Sequence, residues 1–224
     1  MFETDITEKH NISVGASFNH DYYDERFNPL GTLPKAESKV TKETTPGLYA
    51  KYTYKLGETL TVLTGVRWDH SNLYGSFFTP RLHIKYSTSN IVTLRTSIGK
   101  GYRSPHALAE NVSLLASGRE IVIDSDLKQE EAWNMGASLG FNIPLFGKNL
   151  ELNAEYYYTD FKHQMIMNFD GAKGNHTLSF ENLDGKSYSH TFQVDATYSL
   201  FNGMSATAAF RLNEGKCTYD VVLR

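Results

Sequence analysis

Three arginines, Arg67, Arg81 and Arg95, stand where strands would carry them on one face, and a fourth, Arg103, stands at a strand corner. A guanidinium is a planar, permanently charged fork that grips a carboxylate or phosphate through paired N–H donors. The chemistry these residues offer is therefore recognition of an anion. Acidic residues of the chain itself, Asp69, Glu151 and Glu155, are candidate partners. Arg67, Arg81 and Arg95 read either as contacts for an anionic ligand or a packed acidic segment, or as members of ion pairs within the chain. Arg103 lies in GKGYRSP at 99–105, where Pro105 lacks the N–H a strand ladder needs and so marks a strand end. It reads as a ligand contact or, better, as the anchor of a loop.

Bond-making chemistry finds no counterpart. The sequence holds no nucleophile beside a base and no phosphate-cradling loop, and Glu130 and Glu131, as neighbours in a strand, point to opposite faces. An enzyme is not expected. His163, Met165, Met167 and His176 surround one loop, so a metal or haem contact is conceivable there. The eight histidines lack ligand spacing, however, and neither a metal nor another cofactor is expected. The single cysteine, Cys217, rules out a disulfide within the chain. A net charge of −3 argues against a nucleic-acid partner, which needs clustered cations to displace counterions.

The elements that must position the arginines are strands. In FTPRLHIKY at 78–86, Phe78, Leu82, Ile84 and Tyr86 alternate with Arg81, His83 and Lys85; after a tiny turn, Val92, Leu94 and Ile98 alternate with Thr93, Arg95, Ser97 and Gly99. The same period of two recurs around 12–18, 48–56, 60–68, 133–141, 150–158, 192–200 and 204–212, with Leu63 and Thr64 breaking the rule. These make about nine strands of about ten residues, the length a tilted strand needs to cross a bilayer. Only 106–118, and less clearly 126–132, suggest a turn of helix. No apolar run reaches the length of a membrane-spanning helix, and the acidic start lacks the basic stretch and apolar core of a signal peptide.

Connections alternate in length. Short links fall at 57–58, 87–90, 143–149 and 201–203, and long ones at about 20–45, 103–127 and 168–188, with 70–77 intermediate. An up-and-down sheet with tight turns at one end and long loops at the other is the pattern of an outer-membrane barrel. The charged face carries the arginines, and Tyr54, Trp68, Tyr86, Tyr102, Trp133, Tyr158 and Tyr198 end the apolar face as interfacial rings. The apolar face should therefore meet lipid and the charged face a lumen. An odd strand number leaves bare edges, which lipid does not tolerate, so the chain reads as part of a larger barrel. The last residues, CTYDVVLR, appear without a closing strand.

Several blocks carry a family resemblance: GVRWDH at 65–70, FTPRLHIKY at 78–86, GKGYRSP at 99–105, LKQEEAWNMGASLGF at 127–141, EYYYTDFKHQM at 155–165 and FENLDG at 180–185. In this order, over about 45–213, they resemble the middle of TonB-dependent outer-membrane receptors, with Gln129 where that family usually has proline. The tyrosine-rich style resembles receptors of Bacteroidetes. The resemblance implies an all-β fold, an antiparallel up-and-down transmembrane barrel segment, incomplete beside a receptor barrel of about 22 strands. It implies residues 1–224 as one partial barrel without a plug domain, in the bacterial outer membrane. Its partners would be outer-membrane lipid, a plug domain and the TonB energy complex of the whole receptor, and a small scarce nutrient: an iron chelate, cobalamin or an oligosaccharide. By itself such a section would not transport. The residues also leave open a passive porin or adhesin barrel, or a soluble β-sheet binding protein.

Overall fold

Alternating sequence makes two-faced strands, and antiparallel pairing satisfies their backbone groups. The computed structural model describes residues 1–27, 37–115, 119–169 and 177–219. In chain order the elements are β1 (Phe2–Thr7), β2 (His10–Phe27), β3 (Glu37–Leu56), β4 (Leu60–Ser71), β5 (Gly75–Ser87), β6 (Val92–Arg103), α1 (Ala107–Glu110), α2 (Val112–Leu115), β7 (Glu120–Ile123), β8 (Glu130–Leu145), β9 (Lys148–Lys162), β10 (Met165–Asn168), β11 (Thr177–Asn182), β12 (Gly185–Phe201) and β13 (Met204–Tyr219). Ten strands form one antiparallel up-and-down sheet in the order β1-β2-β3-β4-β5-β6-β8-β9-β12-β13. It is unclosed among the described residues, with β1 and β13 at its edges. A second sheet, β10-β11-β7, is built from the two long connections at one end.

The expected up-and-down architecture holds, with corrections. The tenth strand is β1, where Phe2 and Ile6 alternate with acidic neighbours too briefly to announce a strand. The link expected at 20–45 is mostly strand: β2 has 18 residues and β3 has 20, about twice a bilayer span, so both project beyond it. The middle of that link, 28–36, falls outside the described residues. The link at 70–77 shrinks to 72–74, and Cys217–Tyr219 lies inside β13 rather than beyond the last strand. Short helices do form in 106–118, but 126–132 holds a turn and the start of β8.

The faces are inside out relative to a soluble protein. Leu48, Trp68, Phe78, Met135 and Phe210 are exposed on the convex face, whereas Ser13, Asp69 and Ser71 on the concave face are at most 1% exposed. Leu63, which broke the alternation, lies on the concave face beside His83. Apart from the 72–74 link, the tight turns lie at the end opposite the second sheet. At one of them Phe146 and Gly147 take φ of 49° and 75°, the left-handed pair that a two-residue hairpin needs.

The concave surface is levelled by pairing long side chains with glycines. Tyr157 on β9 lies across its cross-strand partner Gly136 on β8, where an added Cβ would sit 2.2 Å from the ring. Gly47 does the same for Asp69, and Gly65 for Arg81. Large inward side chains thus lie flat along the wall and leave the lumen open.

Candidate functional site

The four arginines fall into three environments. Arg67 and Asp69 are two apart on β4, so they share the concave face. Arg67 donates to both oxygens of the fully buried Asp69, at 2.6 and 2.7 Å, and to Ser17 Oγ on β2 at 2.8 Å. Gly47 between them leaves the room this pair occupies. Tyr102, expected as an interfacial ring of the apolar face, instead lies beside this lumenal pair and stacks on Phe77 at 4.7 Å.

Arg81 and Arg95 are different. Neither meets a carboxylate among the described residues. Arg81 on β5 lies over Gly65, and Arg95 on β6 is the direct cross-strand partner of Lys85. A cavity of about 410 Å3 opens on this part of the wall, lined among others by His83, Lys85, Arg95, Ser138, Glu155 and Tyr157.

Arg103 at the end of β6 holds the outer loops. Its Nε donates to Glu130 on β8 at 2.6 Å, and the guanidinium lies 3.4 Å from Glu110 of α1. The bond to Glu130 raises the Arg103 pKa. The other oxygen of Glu130 accepts the Met165 N–H at 2.7 Å, so one carboxylate ties β6, β8 and β10 together.

Glu43, which the sequence did not single out, completes this outer rim with Ser71, Ser104 and Gln129. Glu43 on β3 is buried and accepts from Ser71 at 2.6 Å and Ser104 at 3.0 Å, and Gln129 donates to Ser104 at 2.9 Å. Glu43 gave no signal, because its segment read as a loop. Tyr74 next to this chain has its hydroxyl pKa pushed up, first by burial and then by the charge of Glu43. The Tyr23 ring packs tilted against His106, centroids 4.2 Å apart, and fastens the loop to β2.

The second sheet has its own small core. Leu178 and Phe180 are fully buried against Ala107, with Ile121, Ile123, Met165 and Met167 packed around them. The methionines considered for a metal or haem contact are thus packing residues. The His163 carbonyl accepts from Asn182 at 2.7 Å, and His176 lies outside the described residues. Among the described residues no group of three His, Cys, Asp or Glu side chains could hold a metal. Between β3, the 72–74 link and β7 lies a cavity of about 800 Å3, lined by Lys42, Tyr74 and Asp124 together with apolar Leu73, Pro105 and Ile121. The chemistry available on both surfaces is binding through charge, hydroxyls and rings.

Residues 2–221 match the family model described as TonB dependent receptor-like, beta-barrel. An iron-regulated outer membrane virulence protein of Vibrio cholerae is 24% identical over 160 residues, covering 70% of this chain and 23% of its own length. Among solved structures, the FrpB iron transporter of Neisseria meningitidis (F3-3 variant) superposes with a TM-score of 0.69 at 15% identity, over 96% of this chain and 34% of that one. The siderophore receptor PirA of Pseudomonas aeruginosa gives 0.70 at 16% identity, over 92% of this chain and 39% of that one. At such identities the structural likeness speaks for the fold. The chain spans about a quarter of the length of the curated relatives it matches.

Proposed function

This chain belongs to the TonB-dependent receptor β-barrel family, and from that premise we propose that it is a section of the barrel wall of a receptor that imports an iron chelate. The family places it in the outer membrane, among receptors and not among enzymes. The observation that supports the section reading is the inside-out sheet: an apolar convex face for lipid, a charged concave face, and edges that further strands must cover. In this reading a plug domain fills the lumen and the TonB energy complex drives uptake; both belong to the whole receptor. Iron is favoured over cobalamin or an oligosaccharide because the Vibrio and Neisseria proteins are named for iron and PirA for a siderophore.

The test is uptake of a radiolabelled ferric chelate by cells carrying or lacking the complete receptor. Uptake that needs both the receptor and an intact TonB complex supports the proposal. Ion conductance by the purified receptor without energy coupling, and no chelate uptake, would favour a passive porin instead.

A further inference from the structure

We propose that Lys85 and Arg95 form an oxyanion site on the lumenal wall, taking a carboxylate or a phosphate between them. The two are direct cross-strand partners on one face of β5 and β6. Like charges placed opposite each other destabilise a strand pair, so such an arrangement is best held by an anion shared between them. Two other cations of the same face are matched, Arg67 by Asp69 at 2.6 Å and Lys51 by Glu3 at 3.9 Å. Among the described residues, Lys85 and Arg95 are not. The nearest inward carboxylate along the row, Glu155, stands two strands from Arg95 across Ser138, and it already accepts from Asn153 at 2.9 Å.

The surroundings fit an oxyanion. The cavity of about 410 Å3 beside the pair presents the Thr61, Ser97 and Ser138 hydroxyls and the His83 ring, over a wall kept low by Gly136. Hydroxyls and a guanidinium are donors suited to a carboxylate or phosphate. Arg81, on the same face of β5, adds a third cation without a carboxylate among the described residues. The same chemistry has two sources: acidic side chains from the rest of the receptor, or a free small oxyanion. The inference rests on the lumenal orientation of this face and not on the uptake proposed above.

The test is calorimetric titration of the 224-residue chain in detergent micelles with citrate and with inorganic phosphate, at low ionic strength, against sodium chloride of matched ionic strength. Saturable binding is expected, at least tenfold weaker in Lys85→Gln and in Arg95→Gln, retained in Lys85→Arg, and unchanged in Arg103→Gln. Without citrate, Lys85→Gln should melt above the wild type, because a repulsion is removed; citrate should close that gap by raising the wild type. The same titration of the complete receptor separates the sources. Binding by the chain alone assigns the carboxylate to the receptor's own polypeptide, and binding by both assigns it to a free anion. No saturable binding in either, or binding indifferent to both substitutions, overturns the proposal.

Discussion

Tyr157 on β9 lies over Gly136 on β8, its ring filling the space where any other residue would place a Cβ, 2.2 Å from Cδ1. Gly136→Ala must therefore move the ring or the strand, and overpacking of this kind costs about 1–3 kcal/mol. Thermal unfolding in detergent should show the loss, and adding Tyr157→Ala should restore much of it. A Gly136→Ala chain as stable as the wild type would mean that the ring does not depend on the glycine.

Arg67 and Asp69 are unequal partners. The Asp69 carboxylate is fully buried, while the Arg67 side chain is 35% exposed to the lumen. Removing the arginine strands a buried charge, and removing the aspartate leaves a charge that water can reach. Arg67→Ala should cost about 1.5–3 kcal/mol and more than Asp69→Ala. Chemical denaturation of the two variants side by side gives the order, and the reverse order would contradict the burial assigned to Asp69.

Leu63 and Val66 are similar side chains three residues apart on β4, yet they face opposite ways: Leu63 lines the lumenal cavity and Val66 is 42% exposed on the convex face. Val66→Glu puts a carboxylate into hydrocarbon and should cost about 1–2 kcal/mol, less than arginine would there. Leu63→Glu sets the same group near Lys85 and Arg95 and should be neutral or stabilising. Equal costs in a folding titration into lipid vesicles would contradict the inside-out assignment.

Glu130 holds Arg103 with one oxygen and the Met165 N–H with the other. In Arg103→Ala the carboxylate loses its guanidinium, and β10 should loosen first, since outer loops open at lower cost than the wall. Hydrogen exchange should rise across 165–168 and 177–182 by about tenfold or more, with the melting temperature of the main sheet little changed. Unchanged exchange there would show that the loops are held without this arginine.

Most of the wall was legible because a strand advertises itself through period two over five or more residues, and nine of the ten wall strands have that length of pattern. β1 shows only Phe2 and Ile6 before its turn, too few repeats to stand out. The projecting halves of β2 and β3 leave the bilayer, so nothing constrains their outer face to be apolar and their alternation fades. Leu63 looked like an error in the pattern because a wide lumen tolerates an apolar side chain that a lipid face would not mark as different. Spacing put Arg67 and Asp69 on one face but left Glu151 and Glu155 open as partners beside Asp69, whereas Glu43 meeting Ser104 across 61 residues depends on where loops return, which no local pattern encodes.

The parallel ladder that joins Thr177–Phe180 of β11 to Glu120–Ile123 of β7 has a consequence for descent. It draws its two strands from separate connections, and its core from both, so neither connection can be exchanged alone with that of a related receptor. Divergence or recombination at this end of the barrel must replace the two as one inherited unit.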